Sequence, residues 1–574
     1  MKIGLKKNVL ISTPNDSLNS VIKRMGRVSD KIIEINLVVD KKMKLKGILN
    51  SADIIRLLAN KTSMHKKVKD VMIQNPITAS IFSSDDEILK IVRSKVSKRT
   101  EGKKDLTRFI PLLDKNGIVH DVMDIFSLLN RFPRKGDNVE VYGLGFVGLT
   151  LAVSLTGRGH IVRGIDISSE LIRNLNKGRP NIFEPLLPDM MRKAIENKQL
   201  SFRTSPDKEH SRVVIISVGT PIKKNGFPFL KSLTDVCNLV GSRLLRGDLV
   251  MLRSTVPVGT TRNIVANLLK KKSGLVPGED FNLAFAPERT VEGQALKELT
   301  SLPQIIGGFS KNCTERATAF WQSLTPSVVH VNSLEEAEFV KLINNSYRDL
   351  SFAFANGLAL MSDKINLNAY NIIAAANEGY PRNLIPRPSP GVGGYCLTKD
   401  PFIYSHFDPK SFSSQLSIIG RKVNLEAGKY PIKTVEKFIK FLKKPFSKIT
   451  IMIAGLAFKG LPETNDLRGS IGIEIAREFL KKKCKVFGYD SVVDNKTMES
   501  YGIHSVDLIE GIKKCDIFLI LNNHPNNISN GLLKAAEGKK RLIFDGWSLL
   551  DSNDVEQRKN LYYATMGYMS TLIK

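Results

Sequence analysis

The sequence predicts an α/β protein with two doubly wound parallel sheets, joined by a long central helix and helical domain and preceded by a smaller α+β pair. Three observations carry this expectation. An apolar strand enters a glycine-rich turn and an apolar helix over 139–168, and the same strand–turn–helix–strand order returns over 448–490. Between them, a helix-forming run without proline spans 334–365. The 574 residues suit three or four domains at roughly 100–200 residues each. We divide them into a regulatory pair over 1–133, a cofactor domain over 138–330, a central helical domain with a cysteine loop over 331–435, and a C-terminal domain over 436–574.

Hydrophobic residues make up 42% of the chain and charged residues 25%, so it can bury cores and is not largely disordered. No apolar run approaches the roughly 20 residues that cross a bilayer. The opening MKIGLKKNVLISTPNDS lacks the apolar stretch of a secretory signal. A soluble, cytoplasmic protein is expected. Five cysteines (Cys237, Cys313, Cys396, Cys484, Cys515) are odd in number and widely spaced. That excludes a disulfide framework and paired C-x-x-C metal sites, leaves room for one reactive thiol, and predicts no metal. The net charge of +30 is spread along the chain, with KKMKLK (41–46) and KKK (481–483) as local clusters. No recognition helix or RNA-stacking motif accompanies it, so solvated surfaces are expected rather than a nucleic-acid partner.

The first 130 residues contain an internal repeat. NLVVDKKMKLKGILNSADIIRLL (36–58) reads strand, turn, strand, helix, and FIPLLDKNGIVHDVMDIFSLL (109–129) repeats that order. We match Asp40 to Asp114, Gly47 to Gly117 and Asp53 to Asp124. Neither copy buries much core alone, so the two should pack face to face. The repeat resembles a tandem cystathionine-β-synthase (CBS) domain pair, which implies a cleft for an adenine nucleotide with Asp53 and Asp124 at the ribose. Capping of the closing helices by both aspartates is the other reading. RFPRKGDN (131–138) reads as a linker.

VEVYGLGFVGLTLAVSLTGRGHIVRGIDIS (139–168) places Gly143, Gly145 and Gly148 as G-x-G-x-x-G between strand and helix, with a second strand ending in Asp166. This is the Rossmann-like dinucleotide fingerprint. The first glycine permits the turn, the second lets backbone approach a pyrophosphate, and the third lets helix and strand pack closely. Phe146 and Val147 open the helix, whose free N–H donors face the phosphates. Asp166 would take the ribose hydroxyls and repel a 2′-phosphate, which favours NAD over NADP. VVIISVGTPI (213–222), with Thr220, and LVMLRSTVPVGT (249–260), with Thr255, close apolar strands in loops at the same sheet edge.

KITIMIAGLAFKG (448–460), DLRGSIGIEIAREFLKKK (466–483) and CKVFGYD (484–490) give a second strand, helix and strand, with Phe458–Lys459 in place of the third glycine. Lys459 at a strand end facing a helix N-terminus suits a phosphate-bearing ligand; a solvated loop lysine is the alternative.

RPSPGVGGYCLTKDPF (387–402) carries the chemistry. Gly391, Gly393 and Gly394 let backbone approach a ligand, and Cys396 follows. In a helix or turn beginning there, Lys399 and Asp400 share its face, and the helix N-terminus and lysine would favour thiolate. Lys341 and Asn345 form an i, i+4 polar pair on the long helix.

GLGFVGL (143–149), STVPVGT (254–260), APERTVEG (286–293), KLINN (341–345), GVGGYCLTKDP (391–401) and GLAFKG…DLRGS (455–470) fall in the order of the UDP-glucose/GDP-mannose dehydrogenase family. The chain resembles that family over about 138–574. APERTVEG, the KDP after the cysteine and ILNNH (520–524) look closer to its UDP-N-acetylmannosamine and UDP-N-acetylglucosamine branch. The resemblance implies oxidation of the sugar C6 alcohol to a carboxylate with two NAD⁺, for surface polysaccharide or glycan precursors. It assigns proton acceptance to Asp400, oxyanion stabilisation to Lys341 and Asn345, and thiohemiacetal and thioester formation to Cys396. Glu288, with Thr255, would position the hydrolytic water. Gly143, Gly145, Phe146, Val147, Gly148, Asp166, Thr220, Thr255 and Lys399 would contact cofactor. Lys341, Arg382, Gly393 and Lys459 would contact the UDP-sugar, Arg382 across a homodimer.

Three departures stand out. Trp547 in DGWSLL (545–550) replaces an arginine common in relatives, VGTPIKKNGFPFL (218–230) lacks the usual aspartate, and the CBS pair is an addition to the family's architecture. The alternatives are a UDP-glucose or GDP-mannose 6-dehydrogenase, or an adenine-nucleotide sensor with a degenerate dehydrogenase body.

Overall fold

In a computed structural model the described residues are 9–26, 35–50, 53–54, 57, 62–83, 87–88, 91, 109–124, 136–223, 226–382 and 384–570. They form two compact units, one built on residues 1–135 and the other on most of 136–574. No helix among them is long and apolar enough to cross a membrane.

The first unit holds two three-stranded sheets of the same design. Val9–Ser12 lies parallel to Ile35–Val39, which turns back antiparallel into Leu45–Asn50; Ala79–Ser80, Phe109–Leu113 and Val119–Asp124 repeat the arrangement. Ile35, Leu37 and Ile48 share one apolar cluster with Val119 and Val122, so the copies bury each other as expected. The hairpin turns fix the true register of the repeat. Asp40 accepts from the amides of Lys42 and Lys44, and Asp114 from those of Asn116 and Ile118. That confirms Asp40 with Asp114, but Gly117, at φ 79°, then matches Met43, at φ 62°, rather than Gly47. Asp124, opposite Phe109, matches Asn50, opposite Ile35, rather than Asp53. Asp53 accepts from the Asn50 amide at 3.1 Å while Asn50 accepts from the Asp53 amide at 2.8 Å, a reciprocal helix cap. Most of the first segment expected to close in a helix, all of residues 125–130 expected to close the second, and residues 131–135 of the linker lie outside the described residues.

In the second unit seven of the eight strands of the first sheet run, in spatial order, Gln304–Gly308, Asn282–Phe285, Leu249–Leu252, Val213–Ile216, Asn138–Tyr142, Ile161–Ile165, Leu200–Arg203. All neighbours are parallel except the first pair. The chain order reverses between Asn138–Tyr142 and Val213–Ile216, which opens a ligand crevice at the strands' carboxyl ends. The C-terminal sheet has seven strands and a similar reversal between Thr450–Ala454 and Ile517–Ile520. Its central strands are buried along their length, as strands covered by helices on both faces must be.

Leu334–Asp363 is one helix of 30 residues, about 45 Å at the usual rise, and lies against the 31-residue helix Phe412–Leu442. The second βαβ unit departs from expectation. Its helix begins at Ile471 rather than near Asp466, after a loop over 455–470. The third glycine of the fingerprint is displaced rather than replaced by Phe458–Lys459: a Cβ at Gly472 would sit 2.9 Å from the Gly455 carbonyl.

Candidate active site

The glycine turn of the first sheet performs the three tasks expected of it. Gly143 has φ 89°, and a Cβ there would press on Ser217 and Val218 at 2.9 Å. A Cβ at Gly148 would fall 1.8 Å from the Gly143 carbonyl, whereas one at Gly145 would meet nothing within 4 Å. Gly145 is the N-cap of helix Phe146–Thr156, and no side chain caps it, so the first amides, including those of Phe146 and Val147, are free for an anion. The two glycines should therefore separate stability from binding. Gly148→Ala is expected to destabilise the domain by about 3 kcal/mol. Gly145→Ala should leave the thermal midpoint unchanged and raise the KM for NAD by roughly tenfold, about 1.4 kcal/mol. Melting curves and KM measurements on the two variants check both outcomes.

Asp166 stands at the end of the neighbouring strand, its Oδ2 accepting from the Leu144 amide at 2.9 Å. Across the crevice the Thr220 hydroxyl donates to the Thr255 carbonyl, and Ser254 Oγ donates to that of Val218 at 2.7 Å, tying the two later loops together. A Cβ at Gly219 would lie 3.8 Å from the Tyr395 hydroxyl, so this crevice adjoins the cysteine helix.

Cys396 is the second residue of helix Tyr395–Ser405 and opens into a cavity of about 350 Å³. The glycines before it admit close neighbours from the C-terminal domain, and Gly393 and Gly394 also line the cavity. A Cβ at Gly393 would meet the Gly469 carbonyl at 2.4 Å, and one at Gly394, φ 84°, the Phe458 ring at 2.8 Å. They seat the thiol loop against the C-terminal domain. Desolvation in the cavity, with the Asp400 carboxylate, pushes the Cys396 thiol up, against Lys341 and Lys399. That direction is opposite to the lowering expected from the helix N-terminus and the lysine.

Lys341 and Asn345 both line the cavity, as their spacing predicts. Asn345 Nδ2 donates to Asp400 Oδ2 at 2.5 Å, and Lys399 Nζ to Asp400 Oδ1 at 2.5 Å. Asp400 is fully buried and stands behind Asn345 rather than on the cavity wall. Lys399 is 5% exposed, paired with that carboxylate and 5.2 Å from the Tyr395 ring centre. Lys459 lines the cavity and donates to the Glu292 carbonyl at 2.7 Å. Together with Arg289, Lys341 and Arg348 it makes a basic wall suited to a pyrophosphate. Arg382 lies exposed on a turn and is not among the cavity residues.

The two glutamates of APERTVEG have separate surroundings. Glu288 is buried, ion-paired with Arg253 and bonded to the Thr290 amide; despite desolvation, Arg253 holds its carboxyl below the ordinary range. It does not line the cavity. Glu292 does, beside Cys396, and desolvation together with Asp466 pushes its carboxyl up. Its Oε2 accepts from Thr464 Oγ1 at 3.0 Å. Glu292 thus stands nearer the thiol, whereas Glu288, the sequence candidate, faces Arg253 and Lys341. Trp547 is absorbed structurally, its indole N–H donating to the Leu521 carbonyl at 3.1 Å.

The long helix also buries Glu338, Asp349 and Asn356, which sequence reasoning passed over. With Lys341 and Asn345 they recur at steps of three, four, four and seven residues and form one stripe. Glu338 accepts from the amides of Gly259 and Thr261 at 2.5 and 2.7 Å, and burial pushes its carboxyl up to about 7. It joins the STVPVGT loop to the helix that carries Lys341. No group of metal-ligating side chains occurs among the described residues.

Family models match the chain in four places. The NAD binding, central and UDP binding domains of the UDP-glucose/GDP-mannose dehydrogenase family cover 137–325, 335–425 and 452–552, and a CBS domain covers 3–60. An NDP-N-acetyl-D-galactosaminuronic acid dehydrogenase of Ralstonia nicotianae is 32% identical over 393 residues, 67% of this chain and 90% of that protein. A UDP-N-acetyl-D-mannosamine dehydrogenase of Pyrococcus horikoshii is 31% identical over 415 residues, covering 72% and 96%. The solved structure of UDP-D-ManNAc dehydrogenase from Pyrococcus horikoshii superposes with a TM-score of 0.67 at 30% identity, over 75% of this chain and 99% of that one. A UDP-glucose dehydrogenase of Pyrobaculum islandicum gives 0.66 at 25% identity, over 75% and 98%.

Proposed function

The chain belongs to the UDP-glucose/GDP-mannose dehydrogenase family, the NAD-dependent nucleotide-sugar 6-dehydrogenases, and from that premise we propose that it oxidises C6 of a UDP-N-acetylhexosamine to the carboxylate. One observation carries this reading: a thiol, an ammonium, an amide and a basic wall share a single cavity beside an uncapped glycine turn. The names of the relatives point to the acetamido sugar.

NAD, when bound at the glycine turn, accepts the electrons of each oxidation. The chain's own residues do the rest. Asp400, reached through water behind Asn345, takes the C6 hydroxyl proton as the aldehyde forms. Lys341 and Asn345 face the oxygen that becomes negative. The Cys396 sulfur bonds to C6 of the aldehyde, and its proton goes to the new hydroxyl. Oxidation of that thiohemiacetal leaves a thioester. Glu292, which lines the cavity beside Cys396, takes a proton from the water that breaks the S–C bond. Glu288 anchors the loop through Arg253 and Thr290. Arg289, Arg348 and Lys459 hold the diphosphate.

The two long helices leave Ile343, Phe354, Met361, Leu416 and Ile419 open to solvent, a surface suited to burial in a homodimer. An adenine nucleotide in the CBS pair would then modulate a cytoplasmic enzyme. The test is NADH formed per sugar consumed, with UDP-GlcNAc, UDP-ManNAc, UDP-GalNAc and UDP-glucose in turn. Two NADH from one acetamido sugar is the expected result. Preference for UDP-glucose would overturn the substrate assignment, and one NADH would overturn the role of Cys396.

A further inference from the structure

Behind the thiol helix lies a buried ion pair that the mechanism above does not use. Asp349 continues the polar stripe of the long helix, four residues beyond Asn345. Its Oδ1 accepts from Nη1 of Arg421 at 2.5 Å, and neither side chain meets solvent. The same guanidinium reaches the cysteine segment on both sides of Cys396: Nη1 donates to the Leu397 carbonyl at 3.2 Å and Nη2 to the Val392 carbonyl at 3.4 Å. The Leu397 carbonyl would ordinarily take the amide four residues on. That residue is Pro401, inside the helix, and it has no N–H to give. Arg421 supplies the missing donor.

The surrounding bonds point the same way. Asn424 donates to the Asp349 carbonyl and to its Oδ1 at 3.0 and 2.8 Å, and accepts from Asn356 at 2.9 Å. Asn356 in turn accepts the Ser389 amide at 2.8 Å, seven residues before the thiol. Asp349 Oδ2 has no hydrogen-bond partner among the described residues, so the pair is not the arrangement that burial alone would favour.

We infer that Arg421 is the positioning residue for Cys396: held by Asp349, it sets the thiol helix at a fixed distance from the Lys341/Asn345 stripe. This rests on the reading of Cys396 as the nucleophile. A lysine keeps the charge but is a single point donor, and cannot span a carboxylate and two carbonyls as the planar fork does. The step that suffers is the one that needs the sulfur near C6.

The experiment follows NADH formation by stopped flow in Arg421→Lys, with hydroxylamine present to trap free aldehyde. The first phase should stay within about threefold of wild type, with KM values for sugar and NAD similarly preserved. The second should slow tenfold or more, and trapped aldehyde should lower the yield from two NADH towards one. Asp349→Asn, which keeps side-chain volume and leaves the carbonyl bonds of Arg421 in place, should show the same split and serves if Arg421→Lys does not fold. Both phases unchanged, or falling together in proportion to folded enzyme, would overturn the inference. Cys396→Ala is the control: two NADH from it would overturn the reading of the site, whereas an inactive Cys396→Ala beside normal phases in both positioning variants would overturn this inference alone.

Discussion

Cys396→Ala is expected to lower the rate of uronate formation on the order of 10³-fold or more, because no other group in the cavity can bond covalently to the aldehyde and carry it to a thioester. The side chain opens into the cavity and not into a core, so the melting temperature should stay within experimental error of wild type. Cys396→Ser keeps a weaker nucleophile of similar size and should retain slow turnover. Acid formation by mass spectrometry, beside a thermal melt, checks the pair. Wild-type rates of acid formation in the alanine variant would exclude covalent catalysis.

Glu292→Gln and Glu288→Gln should fail in opposite ways, although the two acids stand four residues apart in APERTVEG. Glu292→Gln removes the base that deprotonates water. It should release up to two NADH per site in the first turnover and then stall, with steady-state rate down roughly 10²–10⁴-fold and a sugar-sized adduct visible in the intact mass. Desolvation and Asp466 raise the carboxyl of Glu292, so the acid limb of the wild-type pH–rate profile should lie above the ordinary glutamate range. Protonation silences the base as pH falls through that limb. Glu288→Gln instead leaves Arg253 buried without its counter-charge, a change of about 3–5 kcal/mol in stability. Its signature is a lowered melting temperature. A stalled acyl-enzyme in Glu288→Gln and not in Glu292→Gln would reverse the assignment.

Much of this was legible in the sequence because local chemistry dictates it. The glycine fingerprint, the long helix and the thiol loop are patterns in which neighbours in the chain are also neighbours in space. Lys341 and Asn345 came from helical spacing alone. What escaped depends on distant contacts. Which acid of APERTVEG faces the thiol is decided by Arg253, thirty-five residues away, which captures Glu288. That Lys399 pairs with its own neighbour Asp400 inside the fold depends on the burial of both, which no spacing shows. The displaced Gly472 was hidden because a loop intervenes between the strand and the helix it marks. In the repeat, a methionine in a left-handed turn masked the true partner of Gly117. The stripe Glu338–Lys341–Asn345–Asp349–Asn356 was readable by its spacing and was the signal left unused.

The two helix N-termini that follow the glycine turns are finished differently. Gly145 leaves the amides of Phe146–Thr156 uncapped, whereas Ser470 Oγ accepts from the Ile473 amide and donates to the Leu456 carbonyl, closing the other turn on itself. Of these two turns, one therefore offers its amides to a dinucleotide. A four-electron oxidation served by that turn becomes a matter of timing: spent cofactor must depart and a fresh one arrive while the half-oxidised sugar waits. On the proposed mechanism the basic wall and the sulfur would make that waiting safe, one gripping the diphosphate and the other tethering the reactive carbon.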